Sequence, residues 1–191
     1  MVRSFVDKEV RPHARRWDEE GEFPSETVAM LGELGLMGTM VPEEYGGAGM
    51  DTVGYAIIVE EIAKGDGSLG LTVASHNSLC TAHILAFGSE AIRKKYLPEL
   101  ASGRKLGAWA LTEPGSGSDS LNMRTKAEWK GDRWIINGIK MFITQGSVGS
   151  IYVILAVTDK GKGRDGVTAF LVEVGDAVDE CGLARSRRAR D

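Results

Sequence analysis

The sequence predicts an α+β protein: an N-terminal all-α helical domain followed by a partial antiparallel β-barrel domain. Two observations on apolar spacing support this. Up to about residue 103, apolar residues recur at intervals of three and four, which is the period of an amphipathic helix. After that residue they alternate with polar residues, as in a half-buried strand. We therefore predict a helical domain at 1–104, an incomplete β domain at 105–174, and an atypical, disordered tail at 175–191.

The helical domain is expected to hold helices at residues 2–20, 24–36, 51–64, 68–87 and 89–102. Asp51, Ser68 and Ser89 are the first residues of three of these ranges, at the N-cap position, where a side chain accepts a hydrogen bond from the first turn. Pro98 is expected to bend or divide the last helix, because proline lacks the backbone N–H of a helix interior.

The β domain begins with an expected hairpin. Residues 123–129 alternate between apolar and polar, the sequence at 130–132 is typical of a tight turn, and a second strand follows at 133–136. Asn137-Gly138 is a strong signal for another two-residue turn, so a further strand is expected at 139–144.

Two β-branched runs, at 151–157 and 167–172, predict the remaining strands, with a polar loop between them. Parallel strands need long crossover connections, whereas these strands follow one another through short turns. The sheet is therefore expected to be antiparallel.

Composition and charge argue against several classes of protein. The net charge of −4 is unfavourable for nucleic-acid binding, because phosphates require a cationic face. The longest apolar run, at 151–157, is too short to cross a membrane, which takes about 20 residues. Cys80 and Cys181 have neither zinc-ligand spacing nor paired histidines, so no metal site is predicted. With no targeting segment visible, a cytoplasmic or mitochondrial-matrix location is expected.

The most informative segment is WALTEPGSGSD at 109–119. Its paired glycines suggest a dinucleotide fingerprint, but that motif requires a following helix, and a strand pattern follows here. Two interpretations stay open: a plain loop between strands, or a loop whose amides and hydroxyls cradle a flat polar ligand. The sequence at 142–144 has a similar ambiguity, since an aromatic beside a hydroxyl serves either ring stacking or core packing.

Taken together, the motifs resemble those of the acyl-CoA dehydrogenase family, and within it the short-chain, butyryl-CoA dehydrogenase-like members. The similarity lies in VPEEYGGAGMD at 41–51, LTEPGSGSD at 111–119 and INGIKMFITQG at 136–146, which occur in the family's order. Weaker likenesses are ASHNSL at 74–79 and the stretch at 87–103. The resemblance implies a helical domain, a middle β-barrel domain and a C-terminal four-helix domain, the last of which is expected to be absent from this truncated chain.

The resemblance also implies an activity. Members of the family bind FAD and oxidise an acyl-CoA thioester to the trans-2-enoyl-CoA, a step of fatty-acid or branched-chain acyl-CoA β-oxidation, and pass the electrons to electron-transfer flavoprotein. The implied partners are therefore an acyl-CoA substrate, electron-transfer flavoprotein and further copies of the chain in a homo-oligomer. Two alternatives are retained: a non-catalytic remnant acting as an interaction fragment, and an acyl-CoA oxidase or flavin monooxygenase of the same fold.

The resemblance further implies which residues bind the cofactor. The first segment comprises Trp109, Ala110, Leu111, Thr112, Glu113, Pro114, Gly115, Ser116, Gly117 and Ser118, and the second comprises Phe142, Ile143 and Thr144. The Thr112 hydroxyl is expected at the polar edge of the flavin ring, Phe142 over a ring face and Thr144 near N5. Ser118 is similar to a family serine that also touches the CoA part of the substrate. No catalytic base is assigned, because most members carry it in the C-terminal domain.

Overall fold

The computed structural model describes residues 1–174 and the backbone of Arg185–Ser186. The chain divides into two compact units, Met1–Lys105 and Leu106–Asp191, which we call the helical unit and the sheet unit. The predicted fold class, with helices first and a sheet second, is confirmed.

In its described residues, the helical unit contains α1 (Val2–Phe5), α2 (Arg11–Glu20), α3 (Ser25–Glu33), α4 (Thr52–Ala63), α5 (Gly67–Ser75), α6 (Ala82–Phe87) and α7 (Glu90–Ala101). π-helical segments at Val6–Val10 and His76–Thr81 join α1 to α2 and α5 to α6, so each pair continues without a break, as predicted for 2–20 and 68–87. Short 3₁₀ turns at Leu36–Gly38 and Glu43–Tyr45 connect α3 to α4.

Two details of the helix ends differ from expectation. Asp51 and Ser89 cap α4 and α7 as predicted, but α5 is capped by Asp66, whose carboxylate accepts from the Leu69 amide at 2.5 Å, and not by Ser68. Of the two outcomes predicted for Pro98, a division of the helix is wrong, because α7 runs through it from Glu90 to Ala101, and a bend stays a prediction. Buried apolar side chains on both sides of the proline, including Leu97 and Leu100, hold that turn against the core.

Two adjacent buried polar residues connect the elements of the helical unit. The Asn77 side chain accepts from the Thr39 amide at 2.9 Å and donates to the carbonyl oxygens of Leu36 and Val73 at 3.1 and 3.0 Å. The Nε2 atom of His76 lies 3.0 Å from the Leu100 carbonyl oxygen. A carbonyl oxygen only accepts, so Nε2 carries the proton.

The sheet unit contains β1 (Gly107–Ala110), β2 (Lys126–Trp129), β3 (Trp134–Asn137), β4 (Ile151–Val157), β5 (Val167–Glu173) and β6 (Arg185–Ser186). The strand order is β1-β4-β2-β3-β6, and β5 also pairs with β4. The hairpins β2–β3 and β4–β5 are antiparallel, as predicted. Their inward residues form a small core of Ala127, Ile136, Ala156, Phe170 and Val172.

The sheet is nevertheless mixed, which corrects the expectation of a purely antiparallel one. β1 pairs with β4 in parallel over its whole length, and β2 meets β4 in parallel at Lys126 and Val157. The chain between β1 and β4 contains a complete hairpin and two loops. This connection is long enough for β4 to run in the same direction as β1. The sequence-based expectation covered only short turns between consecutive strands, so it did not include this pairing.

The strand expected at 139–144 is wrong, and with it the turn at Asn137-Gly138. Residues 138–150 form an irregular loop in which Phe142 and Gln145 have φ values of 56° and 50°, outside the range of a strand. Close packing explains the glycine at position 138, because a Cβ atom there would overlap the backbone and side chain of Thr125.

The tail predicted at 175–191 lies mostly outside the described residues. Arg185–Ser186, the backbone of β6, pairs antiparallel with Trp134 and Ile135 of β3. The other residues of 175–191 lie outside the described part of the chain, and their expected disorder stays a prediction. In the described ranges, no helix combines the length and apolar character needed to span a bilayer.

Candidate functional site

The two sequence motifs of the sheet unit lie directly against each other. The Met141 amide donates to the Thr112 carbonyl oxygen at 3.0 Å. On either side of that bond, the Lys140 ammonium donates to the Leu111 carbonyl oxygen at 2.8 Å and to Glu113 Oε1 at 2.9 Å. The structure therefore joins the predicted segment 109–118 to the two residues that precede the predicted segment 142–144.

Glu113 lies at the centre of this junction. Its carboxylate also accepts from the amides of Arg124 and Thr125, at 2.5 and 2.9 Å. Burial alone raises the pKa of the Glu113 carboxyl. The hydrogen bonds from Thr125, from the Arg124 amide and from Lys140 outweigh burial and lower that pKa to about 2. Glu113 is thus an ionised internal group that connects three stretches of backbone.

The glycine–serine loop that follows is tightly turned. Glu113 and Ser116 exchange backbone hydrogen bonds at 2.9 and 3.1 Å. The buried Ser116 hydroxyl donates to the Asp119 carbonyl oxygen at 2.8 Å, which commits it to the loop itself. Pro114, Gly115, Gly117 and Ser118 form the exposed outer side of this turn.

Nothing in the described structure requires glycine at positions 115 and 117. Neither residue has a positive φ, and a Cβ atom built on either would contact nothing within 4 Å. Gly138 in the same unit shows the contrast, because its neighbours leave no room for a side chain. The absence of a side chain at these two positions leaves the backbone open to close approach by a ligand.

The second motif forms an arch with fixed ends. Lys140 and Met141 fix its start, and Gln145 fixes its far end by donating from Nε2 to the Gly107 carbonyl oxygen at 2.7 Å. Within the arch, Phe142 is 85% exposed and has a left-handed backbone. A bulky residue in that conformation is strained, and such strain is concentrated at binding sites.

The structure thus assigns different surroundings to the predicted cofactor-binding residues. Ala110, Glu113 and Ser116 are buried; Trp109, Leu111, Thr112, Ile143 and Thr144 are partly buried; Pro114, Gly115, Gly117, Ser118 and Phe142 are exposed. Sequence reasoning missed Lys140 and Gln145, although both lie within INGIKMFITQG. The one available signal was a lysine next to an apolar, aromatic run.

A groove of about 680 Å³ lies beside β2 in the same unit. Its lining includes three cationic side chains, Arg124, Lys126 and Lys160, against the single carboxylate of Glu128. This excess of positive charge suits a ligand that carries phosphates. No group of three or more histidine, cysteine, aspartate or glutamate side chains able to hold a metal ion occurs in the described residues.

Comparison with known protein families gives two matches along the chain. Residues 1–104 match the family model described as acyl-CoA dehydrogenase, N-terminal domain, and residues 108–190 match the model described as acyl-CoA dehydrogenase, middle domain. The second match extends into the segment that the sequence predicts to be an atypical tail.

Individual relatives agree with these matches. A short-chain-specific acyl-CoA dehydrogenase of Clostridium acetobutylicum is 46% identical over 175 residues, which are 92% of this chain and 46% of that protein. Butyryl-CoA dehydrogenase from Megasphaera elsdenii superposes with a TM-score of 0.87 at 36% identity, over 97% of this chain and 52% of the other. A glutaryl-CoA dehydrogenase from Mycobacterium smegmatis in complex with FADH2 gives 0.84 at 34% identity, over 97% and 49%. The chain spans about half the length of these relatives.

Proposed function

Because this chain belongs to the acyl-CoA dehydrogenase family, we propose that it forms the flavin-binding part of an FAD-dependent enzyme that oxidises an acyl-CoA thioester to the trans-2-enoyl-CoA. The observation that supports this most directly is the junction of the two motifs, in which Met141 donates to Thr112 at 3.0 Å. Residues implied to touch one ring system are thereby brought next to each other.

The residues present fit an isoalloxazine ring. A flat ring system needs close backbone approach, hydroxyl groups near its polar edge and an aromatic surface for stacking. The exposed backbone at Gly115 and Gly117 provides the first, Thr112 and Thr144 the second, and the exposed Phe142 the third. Glu113 and Ser116, by contrast, are engaged inside the protein, and we propose that their side chains shape the loop and do not contact the ligand.

Bound FAD supplies an acceptor for the hydride from the β-carbon of the substrate. The chain's part would be to hold the reactants: Phe142 would cover a face of the ring, the Thr112 and Thr144 hydroxyls would hydrogen-bond its edge, and the exposed Ser118 hydroxyl would hold the CoA part of the substrate. The α-proton of a thioester is weakly acidic, so its removal also needs a positioned base and donors at the carbonyl oxygen. We assign no residue of this chain to the base.

The groove beside β2 supports a CoA-linked substrate in particular. CoA carries phosphates, and Arg124, Lys126 and Lys160 provide a cationic lining within the same unit as the motifs. The comparisons do not select an acyl group, because relatives that act on butyryl-CoA and on glutaryl-CoA are similar to this chain at 36% and 34% identity. A short acyl group, electron-transfer flavoprotein as acceptor and a homo-oligomeric assembly complete the proposal.

The test is to purify the chain, add FAD, remove the excess by gel filtration and record the absorption spectrum. The expected result is retained flavin with a protein-perturbed spectrum. Butyryl-CoA with a dye acceptor then tests for dehydrogenation, and peroxide formation under oxygen tests for the oxidase alternative. A folded chain that retains no flavin contradicts the proposal and favours the non-catalytic remnant.

A further inference from the structure

We propose that Lys140 and Glu113 are positioning residues: their ion pair acts as a clamp that sets the spacing between the two flavin-binding segments. This inference rests on the proposed function and deepens it, because neither side chain needs to touch the ligand. The clamp acts through the backbone of Leu111–Glu113 on one side and Met141 on the other.

The geometry supports a clamp in two ways. One ammonium group reaches both Leu111 O and Glu113 Oε1, at 2.8 and 2.9 Å, so it holds the residues on both sides of Thr112. The next residue along the chain, Met141, donates to Thr112 itself at 3.0 Å. Three consecutive residues, Leu111–Glu113, are therefore bound to Lys140 or Met141. Phe142 comes directly after Met141 in the chain.

The Glu113 carboxylate extends the clamp to the start of β2. The backbone amides of Arg124 and Thr125 donate to this carboxylate and hold it in place. Lys140 is thereby bound to an anchored group. At the other end of the arch, Gln145 is bound to Gly107. Phe142 thus lies between two fixed points, and such over-determined surroundings are what a strained backbone needs to persist.

Burial separates this pair from a surface ion pair in the same unit. The Lys140 and Glu113 side chains are 11% and 4% exposed, whereas those of Lys130 and Glu128 are 61% and 59% exposed at the same distance of 2.9 Å. Burying two charges has a large desolvation cost, so a buried pair is weak grounds for added stability. A positioning role gives the buried pair a function that the surface pair does not have.

The experiment compares Lys140→Met with the matched control Lys130→Met in the full chain. Amide hydrogen exchange at Met141 is measured first, without flavin. We expect exchange in Lys140→Met to be faster by roughly tenfold or more, and exchange in Lys130→Met to equal the wild type, because surface pairs contribute little. Exchange at Met141 that is unchanged in Lys140→Met overturns the clamp.

The second measurement is flavin binding and the absorption spectrum of the bound flavin. We expect Lys140→Met to bind FAD roughly tenfold or more weakly, because the loss of even one well-placed hydrogen bond to the ring has an effect of this order. The spectrum of whatever flavin is bound should also shift, which simple destabilisation would not cause. Affinity and spectrum equal to the wild type overturn the positioning role even if exchange is faster.

A variant that removes both charges covers the case in which Lys140→Met fails to fold. Glu113→Gln combined with Lys140→Met leaves no unpaired buried charge, so it is expected to fold and still to exchange faster at Met141. If the wild type itself binds no flavin, the proposed function fails, and the exchange at Met141 alone decides on the clamp: unchanged exchange overturns it and faster exchange supports it.

Discussion

The Met141 amide donates a hydrogen bond to the Thr112 carbonyl oxygen across 3.0 Å. The two residues belong to motifs that are separated along the chain by the whole β2–β3 hairpin. Their contact joins two stretches of sequence, each with an ordinary interpretation of its own. The first continues into an exposed glycine-rich turn, and the second continues into an exposed, strained phenylalanine.

The glycines of the loop provide a test that separates folding from binding. Replacing Gly117 by alanine should change the free energy of unfolding by less than about 1 kcal/mol, because a Cβ atom there contacts nothing and φ is not positive. FAD affinity should fall roughly tenfold, or about 1.4 kcal/mol, if the ring approaches this backbone. Urea unfolding and flavin titration measure the two effects.

Gly138→Ala is the matched control for that substitution. Its Cβ atom would overlap Thr125, so it should lower the free energy of unfolding by about 1–3 kcal/mol. If Gly117→Ala instead destabilises the chain like Gly138→Ala, or leaves flavin affinity intact, the close approach of a ligand at Gly117 is contradicted.

Phe142 should be more important for binding than for folding. Its left-handed backbone conformation costs about 1–2 kcal/mol for a residue with a side chain, and 85% exposure leaves little packing to offset that cost. Phe142→Gly is therefore expected to leave the free energy of unfolding unchanged or higher. Flavin retention on gel filtration should decrease because the stacking surface is lost.

The comparison variant for Phe142 is Phe170→Ala, which removes an aromatic from the core of the sheet unit. It should lower the free energy of unfolding by about 3–5 kcal/mol. Marked unfolding of Phe142→Gly, or undiminished flavin retention by it, would argue that Phe142 is a structural residue.

His76 should make the stability of the helical unit depend on pH. Burial lowers the pKa of its imidazole from 6.5 to about 4, against hydrogen bonds to the Leu100 and Met37 backbone that raise the pKa. The folded-state pKa is below the unfolded one, so unfolding takes up a proton between these values. Stability is complete above pH 6.5 and falls as the pH drops towards 4, by about 3 kcal/mol in all.

Urea unfolding followed by far-ultraviolet circular dichroism between about pH 7 and pH 5 measures this dependence. The variant His76→Gln should be less stable at neutral pH, and it should lose most of the slope. Burial also lowers the pKa of His83, so His83→Gln is the necessary control. An identical slope in wild type and His76→Gln would show that another group titrates. The carboxyl of Glu113 titrates well below this range, with a pKa of about 2.

Asn77 should be essential for the stability of the helical unit. Its side chain satisfies the Thr39 amide and the carbonyl oxygens of Leu36 and Val73, all of them in buried surroundings. Asn77→Ala is expected to lower the free energy of unfolding by about 2–4 kcal/mol, because it leaves buried polar groups without partners.

The neighbouring Ser78→Ala is a mild control for Asn77→Ala. Its exposed hydroxyl donates only to the Ala74 carbonyl oxygen of its own helix, at 2.7 Å, so the change should stay within about 0.5 kcal/mol. Equal effects of the two substitutions in urea unfolding would refute the bridging role of Asn77.

Several elements could be predicted because their signals are local. The helices at 2–20 and 68–87, the turn at Gly131 and the strand at Ile151–Val157 each follow from periodicity or turn chemistry within one segment. The failed predictions of a purely antiparallel sheet and of a strand at 139–144 depended on distant contacts. Asn137-Gly138 predicted a hairpin turn from local sequence. In the structure, position 138 requires glycine because Thr125 packs against it.

The sequence by itself determined the class of the fold, the order of its two parts and the two motifs, since each depends on neighbouring residues and on resemblance. Only the tertiary structure decided that the sheet is mixed, that Glu113 and Ser116 are engaged internally, and that Lys140 joins the motifs. The reason is that a buried carboxylate, an ammonium group and a carbonyl oxygen find one another through chain topology, and topology is not encoded in the spacing of any single segment.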